Sequence, residues 1–503
     1  MQLNHVTLKN IRAKDGLSIP DIDRVLPEKV LQFGTGVLLR GLPDHFIDQA
    51  NKAGLFNGRI VVVKSTPGKP PKDFEDQDHL YTLCIKGLED GRQVEEYSIN
   101  SSVSRVLSAS ENWPAVLECA ADPNIEIIIS NTTEVGIKLE TNDRITGPEA
   151  PASFPAKLTA FLYRRFAAFH GASDAGMVIL PTELLPDNGT TLRSICIRLA
   201  EINNLGAGFV RWLAEANDFC NTLVDCIVPG ALPAAEAQKA AAVLGYEDNL
   251  MIMSEVYRLW AIETVNPESI ERLSFAAVNP GVVIAPNIDK FRDLKLRLLN
   301  GAHTFSCGLA LLSGFDTVRE AMNDQDFARY ISELMEQEIV PTLTGADISE
   351  EQAQRFAHAV LDRFRNPHIE HRWQNIAQQY SSKMMMRNIP TLQRYYNRFN
   401  RVPAGMAKGF AAYLYFMRPQ KDEPGGFYSA ATGRNIPLDD QHAALLYAHW
   451  NNREAETAAM SILSDTSLWK KNLLQLPGFA DAVLNEIKRL QERSQNTPAR
   501  VEM

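Results

Sequence analysis

Four short runs in the first part of the chain are apolar at successive positions: Lys29 to Phe33 (KVLQF), Arg59 to Val63 (RIVVV), Ile125 to Ile129 (IEIII) and Gly176 to Leu180 (GMVIL). Such runs suit strands inside a parallel sheet that helices cover on both faces. Between them, Val37 to Gly54, Trp113 to Ala121 and Pro155 to His170 carry apolar residues at helical spacing. The first 285 or so residues therefore read as α/β of the doubly wound kind. Near Val278-Asn-Pro-Gly281 the pattern changes, and after one more apolar run, Val282 to Pro286, nearly everything has helical periodicity. The spacing predicts helices over Phe291 to Leu299, Thr317 to Met322, Asp326 to Glu338, Ser349 to Arg365 and Phe479 to Arg493. A domain over residues 1–288 followed by a mainly α-helical domain over 289–503 is expected.

Composition narrows the function. A 503-residue chain that is 45% hydrophobic has ample material for sizeable cores, which excludes a disordered or fibrous protein. With 51 Lys and Arg against 61 Asp and Glu, the net charge of −10 argues against binding nucleic-acid phosphates. The start MQLNHVTLKN has no apolar stretch of the kind a secretory signal needs, so a cytoplasmic location is expected. The run GFAAYLYFM, Gly409 to Met417, falls short of the roughly 20 residues of a membrane span. Six cysteines without a CxxC pair read as reduced thiols, not as a disulfide or zinc framework. The composition favours a small molecule or a protein as partner, with no nucleic acid or membrane. A monomer or small homo-oligomer fits equally.

The first apolar run ends in Phe33-Gly34-Thr35-Gly36-Val37 and leads into a helix. Glycines at such a turn let the backbone approach a pyrophosphate, and the helix start offers N–H groups to the anion. Leu39 stands at the third position of G-x-G-x-x-G, so the motif alone also fits a tight turn that needs glycine only for its backbone angles. The strand context favours a dinucleotide and a Rossmann-type domain. After the second run, where an acid usually accepts the ribose hydroxyls, the chain has Lys64-Ser65-Thr66. Spacing there leans towards NADP, a solvated Lys64 is the plain alternative, and the choice between NAD and NADP stays open.

The richest stretch is Asp293-Leu-Lys295-Leu-Arg-Leu-Leu-Asn300-Gly-Ala-His303. At ~100° per helical residue, Asn300 lies ~140° and His303 ~80° round from Lys295, so the three can face one cleft without forming a narrow stripe. Hydride transfer to a sugar carbonyl needs a proton donor at the oxygen and fixed donors for the developing alkoxide. A lysine with its pKa lowered by burial can move that proton, and Asn and His can hold the oxygen without a metal. An ordinary amphipathic helix with a charged outer face accounts for the same spacing.

K-x4-N-x2-H opening a helical region after an α/β one resembles the mannitol dehydrogenase family of polyol-specific long-chain dehydrogenases. LQFGTGVLLRG, SNTTEVGI, PTELLPDNG, FCNTLVDCIVPG, LLNGAHT and RFRNPHIEH resemble in particular the branch that interconverts tagaturonate and altronate in hexuronate breakdown. The resemblance runs from about residue 27 to about 400. It implies Lys295 as general acid/base, Asn300 and His303 as carbonyl-polarising residues, no catalytic metal, and NAD as cofactor. Thr133 and Glu134 match the family's T-E-x-G element beside the nicotinamide. Glu183, Asn188 and Asp225 match substrate-side positions, while Leu184 replaces an asparagine that contacts polyols and Cys226 replaces an arginine. A uronate carboxylate also needs a cation, preferably a bidentate one, and Arg365, His371 and Lys383 are the expected candidates. Fructuronate, mannitol or arabinitol oxidoreduction are the alternatives within the family. A non-catalytic dinucleotide-binding sensor is the alternative outside it.

Overall fold

In a computed structural model the described residues are 1–132, 136–421, 425–429, 431 and 433–496. The chain divides into two compact units, Met1–Gly87 with Gln93–Asp289 and Leu88–Arg92 with Lys290–Met503.

The first unit is built on six strands: β1 (Glu28–Phe33), β2 (Arg59–Lys64), β3 (Val103–Ser108), β4 (Ile127–Ser130), β5 (Val178–Pro181) and β6 (Asp218–Phe219). They lie in the order β3-β2-β1-β4-β5-β6, and every neighbouring pair is parallel. This is the Rossmann order, in which the direction of winding reverses beside β1. Successive residues of a strand face opposite sides. Leu31, Phe33, Val61, Val63 and Ile128 accordingly enter one core, and Val30, Ile60, Val62, Ile127 and Ile129 another. Both faces are covered, which explains the apolar runs.

One local expectation is corrected, and two features lay outside the sequence reading. The helix after the glycine turn is broken: α1 (Val37–Gly41) stops at Leu42, and Pro43, which has no N–H to donate to the turn before it, starts a second helix over Pro43–Lys52. The Val282–Ala285 strand belongs to a separate three-stranded sheet with Asn221–Asp225 and Leu259–Glu263. A third sheet, of five strands, contains Tyr81–Glu89 and Arg92–Asn100, which the apolar runs did not reveal.

The second unit is mainly helical. It contains α2 (Ala302–Leu312), α3 (Glu350–Arg365) and α4 (Ala404–Phe416), and three π-helical segments interrupt its helices: Lys295–Gly301, which runs straight into α2, Leu334–Ile339 and Met384–Asn388. α3 begins with the capping box that Ser349 and Gln352 form. α2 and α4 pack backbone to backbone, since a Cβ on Gly308 would sit 2.8 Å from the Ala412 carbonyl and one on Gly409 2.6 Å from that of Phe305. The Tyr380 hydroxyl donates to the Thr304 carbonyl at 2.8 Å and accepts from the Gly308 N–H at 2.8 Å, so it pins α2 one turn past His303. Among the described residues no helix is long and apolar enough to cross a membrane.

Candidate active site

Gly34 has φ +128°, a conformation that L side chains rarely adopt, and its N–H donates to the Val63 carbonyl at 2.9 Å. A Cβ there would meet Leu39 Cδ1 at 2.9 Å and the Asn131 carbonyl at 3.0 Å. Leu39, at the position of the third motif glycine, is fully buried and fills the space behind the turn. Gly36, by contrast, has nothing within 4 Å of its missing Cβ. It precedes the first turn of α1, where Val37 begins the helix and the backbone N–H groups have no partner within it. An open backbone of this kind, framed by Phe33, Gly34, Thr35 and Val37, is a cradle that fits a pyrophosphate.

At the end of β2, the Lys64 ammonium donates to the Thr66 carbonyl at 2.8 Å, to Thr66 Oγ1 at 3.0 Å and to the Pro67 carbonyl at 2.5 Å. The three donors of this lysine are therefore matched inside its own loop. Next to it Ser65 Oγ is buried with no partner among the described residues.

At the ends of β4 and β5, Glu183 is buried and accepts from Ser130 Oγ at 3.2 Å and from the Thr132 N–H and hydroxyl at 2.9 and 3.0 Å. Burial raises its pKa, and these hydrogen bonds oppose the rise. The carboxylate thus holds the loop after β4. Thr133 and Glu134, expected at the nicotinamide, lie outside the described residues. Asn188, expected at the substrate, is fully buried instead. Its Nδ2 donates to the Pro181, Glu183 and Thr222 carbonyls, and its Oδ1 accepts from the Gly189 and Thr222 N–H groups. With its amide spent on backbone, Asn188 is a staple between β5 and the strand that ends at Asp225. Asp225 itself is buried.

In the second unit the π segment Lys295–Gly301 changes the geometry that α-helical spacing implies. A π turn is closed by i→i+5 hydrogen bonds, the separation of Lys295 and Asn300. Each residue then turns by roughly 80°, which brings Asn300 and His303 to within about 50° of Lys295 on the helix wheel. The wider turn thus puts all three on one face, with Lys295 and Asn300 half-buried.

His303 is buried, stacked on Phe364 at 3.9 Å and 14°, with the edges of His371 at 4.8 Å and Trp373 at 5.9 Å. Burial, together with the basic groups His371, Arg363, Arg387 and Lys383, pushes its pKa well below the usual value. The ring is neutral, and its Nε2 has no partner among the described residues. His371 is lowered in the same way by burial, Arg363 and Lys383. Lys383 is half-buried and donates to the Ile376 carbonyl at 2.9 Å; burial and Arg387 lower its pKa, while Cys307, Asp439 and Asp440 oppose the shift.

Arg365 is not in this cluster. It is exposed at the end of α3, whereas Arg363, two residues earlier and on the opposite side of the helix, is buried and acts on both histidines. Arg363 and Arg387 are the cations that sequence reasoning passed over. Arg363 keeps the apolar spacing of Phe356, Val360 and Phe364, and Arg387 lies one helical turn beyond Lys383.

Two family profiles cover the two regions: the mannitol dehydrogenase Rossmann domain matches residues 28–273, and the mannitol dehydrogenase C-terminal domain matches residues 287–491. The chain belongs to the mannitol dehydrogenase family. Relatives in this family include the altronate oxidoreductase of Bacillus subtilis (strain 168), 38% identical over 92% of this chain and 93% of its own. The altronate oxidoreductase of Pectobacterium atrosepticum is 36% identical over 93% of this chain and 95% of its own. Among solved structures, a substrate-free D-sorbitol dehydrogenase shares the fold with a TM-score of 0.76 at 23% identity, over 98% of this chain and 99% of that one. Pseudomonas fluorescens mannitol 2-dehydrogenase, solved with NAD and D-mannitol, does so with a TM-score of 0.67 at 22% identity, over 99% of this chain and 98% of that one. This family member is an oxidoreductase acting on CH–OH groups, of the polyol and sugar-acid dehydrogenase type.

Proposed function

We propose that the protein reversibly reduces the keto-uronate tagaturonate to altronate, with NADH as hydride donor and Lys295 as general acid/base. The observation that carries this reading is the neutral, buried His303 with an open Nε2, set among Arg363, Lys383 and Arg387. A neutral imidazole offers a hydrogen bond to a carbonyl oxygen without transferring its own proton. The basic groups around it suit a substrate that carries a carboxylate. The names of the relatives point the same way.

In this reading the first unit binds the cofactor and the second supplies the chemistry at the sugar. When bound, the nicotinamide supplies a hydride to the carbonyl carbon. The carbonyl π bond breaks as the C–H bond forms, and the oxygen takes a proton from the Lys295 ammonium to become the hydroxyl of altronate. Asn300 and His303 hold that oxygen and stabilise the alkoxide charge as it develops. Lys295 then regains its proton from solvent. Oxidation of altronate runs the same steps backwards, with the lysine amine as base. NAD is preferred over NADP because the Lys64 ammonium is already matched by its own loop.

The test follows NADH and NADPH oxidation at 340 nm with tagaturonate, fructuronate and fructose. NADH-dependent turnover of tagaturonate with the highest kcat/KM is the expected result. A preference for fructuronate or fructose overturns the substrate assignment, and tight NADH binding without any turnover leaves a sensor.

The cradle has its own check. Gly34→Ala is strained by its φ and crowds Leu39 and the Asn131 carbonyl, so the Kd for NADH should rise about tenfold, equivalent to roughly 1–2 kcal/mol. Fluorescence titration with NADH reads this directly. An unchanged Kd removes the turn from the cofactor site.

A further inference from the structure

We propose that Arg387, and not the exposed Arg365, is the residue that binds the carboxylate of the substrate. The inference rests on the keto-uronate reading above and names the anchor within it.

Arg387 stands in the π segment Met384–Asn388 and is half-buried. Among the described residues its guanidinium pairs with no carboxylate, and its pKa is lowered by burial with no opposing charge. Its one side-chain bond runs from Nη1 to Thr304 Oγ1 at 3.3 Å. Thr304 follows His303 directly, and its hydroxyl donates to the Asn300 carbonyl at 2.7 Å. The backbone of Arg387 is tied to the same place, because Arg297 Nη1, two residues past Lys295, donates to the Arg387 carbonyl at 2.6 Å and to that of Met386 at 3.1 Å. The guanidinium is thus fixed beside the residues that hold the carbonyl oxygen, and most of its five donors remain for another acceptor.

A half-buried cation without a counter-charge is costly unless a ligand supplies one. Lys383, four residues earlier, cannot replace it as a fork: an ammonium is a point charge, and this one already donates to the Ile376 carbonyl. Arginine offers two parallel N–H donors to the two carboxylate oxygens, which fixes both distance and orientation. Its fixed distance from Asn300 and His303 would then select the chain length between the carbonyl and the acid group.

The experiment compares binding of tagaturonate with that of tagatose, which carries a hydroxymethyl group where the uronate has its carboxylate. Isothermal titration of the NAD⁺-loaded enzyme, which has no hydride to give a ketone, yields the two Kd values for the wild type, Arg387→Ala and Arg387→Lys. The tagaturonate Kd should rise about 10–100-fold in Arg387→Ala, as expected for loss of a hydrogen-bonded charge pair, and the tagatose Kd should change less than about threefold. Arg387→Lys should recover part of the loss, and added guanidinium ion should partly restore tagaturonate binding to the alanine variant. Equal weakening for both sugars, or none for tagaturonate, overturns the assignment while leaving the proposed function intact. A wild type that binds tagaturonate no better than tagatose removes the keto-uronate reading itself and the role of Arg387 with it.

Discussion

Lys295→Ala should lower kcat/KM for tagaturonate by about 10³-fold, a loss of roughly 4 kcal/mol of transition-state stabilisation. Removal of a positioned general acid typically costs about 10²–10⁴-fold, and here the same ammonium also faces the negative charge that grows on the oxygen. The affinity for NADH should stay within about twofold, because Lys295 is assigned to the sugar and the cofactor cradle belongs to the other unit. Lys295→Met, which keeps the length of the side chain, should lose as much as the alanine variant. That equality separates proton chemistry from packing. Stopped-flow measurement of single-turnover NADH oxidation reads the chemical step free of product release. A loss below tenfold in both variants, with folding intact, sinks the assignment. The π segment gives a second handle on the same claim: Lys295, Asn300 and His303 act on one oxygen, so Lys295→Ala combined with Asn300→Ala should cost much less than the product of the single losses.

The sheet of the first unit was legible because parallel strands buried on both faces leave unbroken apolar runs, and β1, β2, β4 and β5 all do so. The strands Tyr81–Glu89 and Arg92–Asn100 leave no such run, since polar and apolar residues mix along them. Their signal is the Asp90-Gly91 pair that joins them, both residues having positive φ, as a two-residue hairpin turn requires. At the candidate site, the spacing of Lys295, Asn300 and His303 fitted an ordinary amphipathic helix as well, and their common face was not legible in it. Nothing in KLRLLNG marks a π turn, and α-helical arithmetic carries Asn300 well away from Lys295. The choice between Arg363 and Arg365 was open to a finer reading. Residues two apart on a helix point to opposite sides, and the apolar positions of α3 select Arg363. Long-range pairing decided the rest: that Asn188 is consumed by three backbone segments follows from the meeting of β5 with the strand at Thr222, which no local pattern announces.

Asp44 should make the first unit markedly less stable above neutral pH than below it. This aspartate lies in the helix that Pro43 starts, has no exposed surface, and is reached by Gln32 Nε2 at 3.4 Å, which also donates to the Gly34 carbonyl at 3.3 Å. Burial pushes its pKa up to about 7, against the pull of Gln32 and Arg40, and Asp48 adds to the rise. Two buried acceptors, Asp44 Oδ1 and Gln32 Oε1, have no partner among the described residues, and a proton on the carboxyl supplies the missing donor. Burial and the charges of Arg258 and Lys52 drive the pKa of neighbouring His45 well below the usual value, a contribution that wild type and an Asp44 variant share. Between the unfolded pKa of about 3.8 and the folded pKa of about 7 the native state binds the extra proton, so stability falls as pH rises through that interval. The full loss, reached above pH 7, is about 4 kcal/mol, from a shift of about three units at 1.36 kcal/mol each. Asp44→Asn, neutral throughout, should erase that slope and unfold at higher urea than the wild type at pH 8. Urea denaturation of both proteins at pH 5 and pH 8 isolates this residue, because every other titrating group is common to the pair. Parallel pH dependences for wild type and variant would show that the Asp44 carboxylate is ionised in the native protein and that the side chains around it, Gln32 and Arg40 first, compensate its burial.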